Sequence, residues 1–429
     1  MKKSIISLLV LLLVFFVLSS FFVVNAAETV KIGILFPFTG PMALNGNDQF
    51  NGVEIAREMQ NEKGGLWGKK IEFAKGDAVN ANAARSEAER LISVEGVKLI
   101  IGTFSSSCSY TASAVAEKSR VIYWEVNAIA DKLTQRGFKY YFRTNVKGSD
   151  YGIAAVPFIK EVVAPKLGKD PKDLQIATLF EDTLYGTITA SEFAKHAVES
   201  HLNVVGSISY NAAKALDFSS ILMKLKVLKP DVLFAVPYVK DMILFWRQAK
   251  ELNFNVPVFI GGGCVGESGV AEGLGDDVNY IFNAYLPTFC NPNALNPESR
   301  AGLKEFEERY EKKHEVTLPP ILAVTGFAST EMLFGKVLPV AGSLDPDAVR
   351  EAALKTNIPD GGTCLGFGLK FAPPGHPMAG HNLAAFAIIQ QYQGGRLYVV
   401  WPEKYALKKP LLPMPTWEER KKGITHFVE

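Results

Sequence analysis

A cluster of serine hydroxyls follows an apolar run in the first quarter of the chain. Residues 97–101 have the length and β-branched content of a buried strand, and Gly102 ends it. The hydroxyl run that comes next consists of Ser105, Ser106, Ser107 and Ser109. Serine O–H groups beside the unpaired N–H groups of a helix N-terminus suit a small anion, most simply a carboxylate. The alternative is that one serine only caps the helix.

Strand-like and helix-like segments alternate along almost the whole chain, and they must position this run. The first series has strands predicted at 30–36, 71–76, 97–104, 121–126 and 140–144, with helices at 48–61, 83–94 and 110–118. The second series has helices at 151–163, 188–200, 218–228 and 239–252, with strands at 175–180, 204–210, 232–236 and 258–260. The remaining segments are a strand at 280–286, helices at 297–314, 321–340 and 346–355, and strands at 365–371, 385–391 and 397–401.

This βαβ order predicts an α/β protein with two doubly wound parallel-sheet lobes. Two such lobes usually bind a ligand in the crevice at the carboxyl ends of their strands. The loops expected around this interlobe cleft are 37–46, 103–110, 124–131, 181–187, 236–240 and 261–268. Gly394-Gly395, between the last two strands, predicts a hairpin turn.

The N-terminus has the pattern of a secretory signal peptide at residues 1–27. Lys2 and Lys3 precede the uncharged stretch 5–24, and small residues follow at Ala26 and Ala27. Because the apolar stretch is long, an uncleaved membrane anchor is the alternative. No cysteine lies near the cleavage point, which argues against a lipid anchor, and no later stretch is expected to span a bilayer.

Charge and cysteine usage exclude several classes of function. The chain has 46 Lys+Arg and 44 Asp+Glu, and loss of two lysines with the signal peptide leaves a net charge near zero. This balance argues against nucleic acid or an acidic membrane as partner, and the basic tail at 404–422 is expected to be solvated. An exported chain permits disulfides, and of the three full pairings of four cysteines Cys264–Cys290 is preferred.

No catalytic or cofactor set is recognised. The sequence has no nucleophile elbow, no dinucleotide fingerprint and no phosphate loop. His376 and His381 are five positions apart among prolines and glycines, which favours a loop over a metal site. The prediction is a binding protein with no enzyme activity, cofactor or metal.

Several short motifs resemble those of the leucine/isoleucine/valine-binding proteins, the type I periplasmic solute receptors of ABC importers. The similarity covers residues 30–401, and its motifs are F-P-F-T-G-P at 36–41, K-G-G-L-W-G-K-K at 63–70, the serine run, L-T-Q-R-G at 133–137, F-R-T at 142–144 and Y-G at 185–186. The resemblance implies two lobes joined by three crossings, near 145–148, 283–286 and 366–368. Lobe one is then 28–147 with 287–365, lobe two is 148–286 with 366–405, and 406–429 is a tail.

The resemblance also implies the ligand contacts. A serine of the hydroxyl run binds the ligand carboxylate, and here it matches Ser106 with Ser107 beside it. The aromatic residue of the Tyr-Gly motif matches Tyr185, and a second cleft tyrosine matches Tyr238.

The sequence departs from the family where the ligand ammonium is bound. The family's small-small-threonine run reads Asn127-Ala128-Ile129, and isoleucine has no side-chain acceptor. The family's ammonium-pairing glutamate falls at Gly263, and its first-loop aromatic residue is Asn45.

Two readings of these departures stay open. Another acid replaces the lost glutamate, the candidates being Glu125, Asp182 and Glu267, or the ligand is a carboxylate without an amine or a neutral amide. Phe104 and Trp124 are candidate apolar walls.

The predicted function is capture of an amino acid or related small carboxylate or amide by a monomeric periplasmic receptor. The resemblance implies delivery to an ABC permease. The alternatives are a sensor subunit of the same fold that reports to a membrane protein, and a secreted hydrolase, which the absent catalytic set disfavours.

Overall fold

Two separate β-sheets, each covered by helices, form the framework of the protein. The computed structural model describes residues 29–288 and 290–424. The predicted signal peptide, its alternative as an anchor, and the last residues of the tail lie outside the described residues.

The first sheet contains five parallel strands in the order β2-β1-β3-β4-β5. The strands are β1 (Val30–Phe36), β2 (Ile71–Asp77), β3 (Leu99–Gly102), β4 (Ile122–Glu125) and β5 (Tyr141–Arg143). Both faces are buried: Ile32 and Ile34 belong to one core cluster, whereas Leu35 and Ile100 belong to another. Near-continuous apolar strands of this kind are typical of a parallel sheet covered on both faces.

The second sheet contains seven strands in the order β14-β13-β10-β9-β8-β6-β7. The strands are β6 (Gln175–Glu181), β7 (Asn203–Tyr210), β8 (Val232–Val236), β9 (Val258–Gly262), β10 (Phe282–Tyr285), β13 (Ile388–Gln393) and β14 (Arg396–Trp401). The last two are antiparallel and follow the predicted hairpin, whose Gly394 and Gly395 both have positive φ. A separate short pair consists of β11 (Asn357–Ile358) and β12 (Leu369–Lys370).

Twelve helices surround the two sheets in the described part of the chain. They are α1 (Ala43–Glu62), α2 (Ala81–Ser93), α3 (Ser106–Lys118), α4 (Gly148–Phe158), α5 (Leu184–Glu199), α6 (Ser219–Leu228), α7 (Val239–Glu251), α8 (Ser268–Leu274), α9 (Pro297–His314), α10 (Ile321–Met332), α11 (Pro346–Lys355) and α12 (Trp417–Lys421). Two of them continue through a π-helical turn into a last short helical segment, α4 to Lys166 and α10 to Ala341.

The chain returns from the second sheet to cover the first. The indole Nε1 of Trp124 in β4 donates to the carbonyl of Ser329 in α10 at 2.9 Å. Helix α10 also lies so close to α1 that a Cβ on Gly52 would come within 1.8 Å of the Ala323 carbonyl oxygen. The two glycines at this contact, Gly52 and Gly326, therefore allow the backbones to touch.

The stretch Ile321–Ala341 corrects the expectation that no later segment could span a bilayer. It is long and apolar enough to do so by composition, but 83% of its most apolar window is buried inside the protein. It is a core helix of lobe one, and its hydropathy reflects contact with α1 on one side and the sheet on the other.

Residues 366–382 lie against the first sheet rather than the second. The backbone N–H of Arg143 donates to Gly380 at 2.9 Å, and Asn382 N–H donates to Arg143 at 2.9 Å. The chain therefore changes lobe between Asn382 and Ile388, later than the expected crossing at 366–368. The predicted strand at 365–371 is reduced to β12, since only Leu369 and Lys370 find strand partners, which are Ile358 and Asn357.

The basic tail is not simply solvated. Trp417 is buried, its indole Nε1 donates to the Phe254 carbonyl at 2.8 Å, and its ring lies 5.4 Å from that of Trp246. The tail therefore packs on the second lobe. The preferred disulfide was wrong as well: Cys108, Cys264, Cys290 and Cys364 are all buried free thiols.

Candidate functional site

A cavity of about 20 Å³ lies between the two lobes, at the carboxyl ends of their strands. The first lobe contributes Phe104, Ser105, Ser106, Asn127 and Ile129 to its wall. The second lobe contributes Tyr151, Tyr185, Tyr238, Gly263, Cys264 and Tyr285. This volume has room for about one water molecule and is far below the range for small-molecule pockets, so a larger ligand needs the lobes to separate before it binds.

The first-lobe wall is built on the N-terminus of α3. Ser105 is the N-cap residue, and its side chain makes no capping bond to the helix. Ser106 is 2% exposed, and its Oγ accepts the Ala130 N–H at 3.2 Å. Because that Oγ accepts from the protein, its own proton is free to be donated into the cavity. The predicted helix start at residue 110 was wrong, because the serines themselves form the first turn.

The loop after β4 supplies the rest of this wall. Asn127 lies in the cavity wall with its Oδ1 accepting from Asn145 Nδ2 at 2.9 Å. Ile129 adds an apolar surface two residues further on. The first-lobe wall therefore combines hydroxyl groups at a helix N-terminus with one amide and one apolar side chain.

The second-lobe wall contains four tyrosines. Tyr185 donates its hydroxyl proton to the Gly262 carbonyl, and the Tyr185 hydroxyl oxygen accepts the Cys264 N–H at 3.2 Å. The ring of Tyr238 lies 5.4 Å from that of Tyr185, and its hydroxyl is 3.4 Å from Thr183 Oγ1.

The other two tyrosines differ in how their hydroxyls are used. Tyr285 donates to Glu267 Oε1 at 3.1 Å. Tyr151 is 1% exposed, and its hydroxyl has no hydrogen-bond partner within the described residues, although it lies in the cavity wall. The Tyr151 hydroxyl is therefore free to bind a polar group of a ligand.

Gly263 leaves no space for the family's glutamate. Its φ is +84°, and a Cβ there would lie 2.9 Å from the Tyr185 hydroxyl and 3.1 Å from the Tyr151 ring. Any side chain at this position is therefore strained and obstructed. The two tyrosines occupy the volume that a glutamate at 263 would need.

No acidic side chain among the described residues lines the cavity. Burial raises the pKa of Glu267 well above its usual value, a shift that the bond from Tyr285 opposes. Burial also raises the pKa of the Cys264 thiol and of the four tyrosines. The side chains that line the cavity are therefore neutral at neutral pH.

Glu125 lies behind the cavity wall. It is fully buried and accepts hydrogen bonds from Thr103, Ser109, Asn127 and Ala128. Burial raises its pKa to about 7, against the opposing effect of these bonds. Its carboxylate is thus used within the first lobe and does not face the cavity.

Of the residues predicted for the site, the structure brings six together in the cavity wall: Ser106, Asn127, Ile129, Tyr185, Tyr238 and Gly263. The other four lie outside it. Ser107 and Ala128 are next to wall residues but do not line the cavity, Glu125 lies behind the wall, and Asn45 lies in the first turn of α1. The candidate acid Asp182 bonds instead to Asn211 and Ala212 at the surface.

Sequence reasoning did not select Ser105, Tyr151, Cys264 or Tyr285. Tyr151 follows the predicted crossing at 145–148, and Tyr285 lies within the one at 283–286. A crossing between two lobes borders the cleft, so aromatic residues beside the crossings were the available signal. Phe104, named as a possible wall, lines the cavity, whereas Trp124 is in the core under α10.

No cluster of potential metal ligands occurs within residues 29–288 and 290–424. His381, one of the two spaced histidines, is buried, and its Nδ1 accepts from Arg143 Nε at 3.2 Å. Burial and the Arg143 guanidinium hold the pKa of His381 well below its usual value, so this imidazole is neutral.

Two lobes built on parallel sheets, with a cavity between them, define a two-lobed solute-binding protein. A profile described as "Periplasmic binding protein" matches residues 29–392. The chain is 38% identical over 389 residues, 90% of its length and 95% of the relative's, to Leu/Ile/Val-binding protein homolog 7 of Brucella suis biovar 1 (strain 1330). The chain belongs to the Leu/Ile/Val-binding family of periplasmic binding proteins, which are ABC transporter substrate-binding proteins.

Solved structures share the fold at lower identity. A leucine binding protein from Thermotoga maritima MSB8 is 22% identical with a TM-score of 0.73, over 86% of this chain and 97% of the other. An ABC transporter solute binding protein from R. palustris, in complex with benzoate, is 21% identical with a TM-score of 0.72, over 91% and 97%. These similarities confirm the predicted type I periplasmic-binding fold.

Proposed function

We propose that this protein is the extracytoplasmic receptor of an ABC importer and that it captures a small carboxylate, or its neutral amide, between its lobes. The relatives are solute-binding proteins, and we infer that this chain has no enzyme activity. A monomer in the periplasm that delivers its ligand to a membrane permease accounts for the signal sequence and the family.

One observation supports the choice of ligand class. The cavity has hydroxyl and N–H donors at the N-terminus of α3 on one side and a neutral tyrosine wall on the other. Helix N-termini stabilise negative charge, and the serine hydroxyls add donors. A carboxylate is therefore expected to bind at Ser105 and Ser106.

The tyrosine side favours a ligand end without positive charge. An α-ammonium buried among neutral groups would lose its hydration without an anionic partner. Aromatic rings and one free hydroxyl, by contrast, suit an aromatic or aliphatic body that carries a polar substituent. Among the solved structures, one relative was crystallised with benzoate, whereas another is a leucine binding protein.

Binding would proceed by closure of the lobes around the ligand. The carboxylate docks on the first lobe at Ser106, and the second lobe then brings Tyr185 and Tyr238 over it. A ligand that contacts both lobes shifts the equilibrium toward the closed form. For this mechanism we propose lobe limits of 29–147 with 287–382, and 148–286 with 388–424.

A thermal-shift screen of amino acids, aromatic acids, short carboxylates and amides tests the ligand class. Stabilisation by a carboxylate that lacks an amine is the expected result. Strong stabilisation by leucine or valine alone would contradict the neutral tyrosine wall as the basis of selectivity.

The transport role has a separate test. Mass spectrometry of the mature protein distinguishes a cleaved receptor, which starts at Ala27 or Glu28, from an anchored sensor that keeps its N-terminal segment. If the N-terminal segment is retained, the proposed function changes from importer receptor to membrane-anchored sensor.

A further inference from the structure

Two buried charges of opposite sign occupy neighbouring positions at the ends of β4 and β5. Glu125 and Arg143 are register partners in the parallel ladder, and both are 0% exposed. Neither makes a salt bridge with any described residue, since no ion pair includes them. Buried charges without an ionic partner need hydrogen bonds that replace their hydration.

The Glu125 carboxylate is surrounded by donors from both ligand-facing loops of lobe one. It accepts from Thr103 N–H at 2.9 Å and from Thr103 Oγ1 at 3.1 Å. It also accepts from Asn127 N–H at 2.9 Å, Ala128 N–H at 2.8 Å and Ser109 Oγ at 2.6 Å. Because these groups all donate, the arrangement fits the ionised carboxylate.

Arg143 binds the same loop through its carbonyl groups. Its guanidinium donates to Ile129 O at 3.0 Å and to Ala130 O at 2.9 Å. It also donates to Thr134 Oγ1 at 3.0 Å and to the neutral His381 at 3.2 Å. The loop 127–130 is thus fixed by a carboxylate on its N–H groups and a guanidinium on its carbonyls.

This loop carries part of the cavity wall, although neither charge touches the cavity. Asn127 and Ile129 line the cavity, and the Ala130 N–H donates to Ser106. The other loop held by Glu125 continues from Thr103 into Phe104 and Ser105, which also line it. The first-lobe half of the site therefore depends on where these two loops lie.

We propose that Glu125 and Arg143 act together as positioning residues, which hold the two first-lobe loops in ligand-binding geometry. The proposal rests on the proposed function of the cavity, because it assigns the loops a role in ligand contact. It assigns no ligand contact to Glu125 or Arg143 themselves.

The second lobe repeats the carboxylate half of the arrangement. Glu181 ends β6, is 0% exposed, and accepts from Thr183 N–H at 2.6 Å and Gly186 N–H at 2.5 Å. These are the N-cap and first turn of α5, which carry Tyr185. A buried carboxylate at a strand end thus anchors a ligand-facing segment in each lobe.

Protonation of Glu125 is expected to loosen its loops near neutral pH. Burial raises the pKa of Glu125 to about 7, whereas burial raises that of Cys108 to about 11. Tyr123 and Tyr141, which also face this carboxylate, have pKa values raised by burial and stay neutral. Arg143 is the cation beside it. Glu125 is therefore the group of this cluster that changes charge near pH 7.

Amide hydrogen exchange of the unliganded full chain tests the proposal. Glu125→Gln should accelerate exchange at Thr103, Asn127 and Ala128 by about tenfold or more, because the amide side chain brings donors to donors. Arg143→Lys keeps the positive charge but loses the planar set of guanidinium N–H donors. It should accelerate amide exchange at Ala130 and leave exchange at Thr103 unchanged.

Glu117→Gln is the matched control. The Glu117 carboxylate also accepts from backbone N–H groups, those of Lys139 and Tyr140, but away from the cavity. It should leave the ligand-facing loops unchanged. Glu181→Gln should accelerate exchange at residues 183–186 and not at Asn127.

The pH dependence of amide exchange in the wild-type protein is a second test, and it does not require that any variant folds. After correction for intrinsic rates, protection of Asn127 and Ala128 should fall from pH 8 to pH 6, relative to Lys139 and Tyr140. Equal pH profiles for the two pairs, or an unchanged Asn127 in Glu125→Gln, would overturn the proposal.

Amide exchange is measured without ligand, so its result does not depend on whether the proposed function is correct. Calorimetry with benzoate and with L-leucine then separates the two ideas. Tight binding that Glu125→Gln leaves unchanged would refute positioning and keep the receptor function. Loss of loop protection in a protein that binds no small carboxylate would refute the receptor function and keep the role of Glu125 in holding the loops.

Discussion

The hydroxyl of Tyr285 lies 3.5 Å from the amide oxygen of Asn127, and this contact joins the two lobes across the cavity. Tyr285 ends β10 of the second sheet, and Asn127 follows β4 of the first. The same hydroxyl donates to Glu267. The contact therefore ties the cavity wall of one lobe to the polar groups behind the wall of the other.

Removal of this hydroxyl should favour the open form. In Tyr285→Phe the ring remains, but the contacts with Asn127 and Glu267 are lost. The contact with Asn127 is at the limit of hydrogen-bond distance and shares its one proton with Glu267, so it contributes at most about 0.5 kcal/mol to closure. Small-angle scattering should show a larger radius of gyration for the unliganded variant than for the wild type. An equal radius would mean that the contact does not hold the lobes together.

The Ser106 hydroxyl is expected to bind the ligand carboxylate. Its Oγ accepts the Ala130 N–H, so its proton is available to the ligand. Ser106→Ala should weaken binding of a carboxylate by about 1–3 kcal/mol, because a charge-assisted bond is lost. Ser107→Ala is the matched control, since Ser107 is outside the cavity wall. Similar affinity losses in both variants would contradict the assignment.

The unpartnered hydroxyl of Tyr151 is expected to read a polar substituent on the ligand. Tyr151→Phe should weaken binding of 4-hydroxybenzoate by about 1 kcal/mol and leave benzoate unaffected. Tyr185→Phe serves as comparison, because its hydroxyl already bonds to Gly262 and Cys264. If Tyr151→Phe changes the affinity of the two benzoates equally, the hydroxyl does not discriminate between them.

Gly263 should tolerate no side chain. Gly263→Ala places a Cβ 2.9 Å from the Tyr185 hydroxyl at a φ of +84°. We expect a loss of about 1–2 kcal/mol in the free energy of unfolding, with weaker ligand binding. Chemical denaturation measures the first quantity. Gly275→Ala has a positive φ but open space around it, and isolates the backbone contribution.

Asp48 should make stability depend on pH. Burial, and secondly the Glu272 carboxylate, raise its pKa from 3.8 to about 6. Its contribution to stability is therefore fully present below about pH 4, and is lost as the pH rises through about 6.

The variant Asp48→Asn isolates this effect. Its free energy of unfolding relative to the wild type should rise from pH 4.5 to pH 7.5 by about 1 kcal/mol, after allowance for solvent screening at this partly buried site. A constant offset between Asp48→Asn and wild type at all pH values would contradict the assignment.

Local sequence signals predicted most of the fold. Helix α9 was predicted with its observed limits, because Asn296 caps it, Pro297 opens it and Glu315 ends it in a left-handed conformation. Strand β8 likewise matches its run of apolar residues. The serine run was less clear, since polar side chains at a helix start carry no apolar periodicity.

The site was predicted only in part, because its walls come from distant segments. Ser106 and Tyr185 belong to short motifs, and both line the cavity. Tyr151 and Tyr285 belong to no motif, and their rings lie 5.9 Å apart only because the fold of the second lobe brings α4 beside β10. The need for glycine at position 263 could not be predicted either. It depends on tertiary contacts, because the side chains of Tyr151 and Tyr185 occupy the space that a larger residue would need.

The most direct test of the account is isothermal titration calorimetry with L-leucine, benzoate, 4-hydroxybenzoate and propionate, on wild type and Ser106→Ala. The account predicts that at least one carboxylate binds with one-to-one stoichiometry, and that Ser106→Ala weakens it by about fivefold or more. Binding of a carboxylate with the same affinity in both proteins, or of none of the four, would contradict a carboxylate site between the lobes.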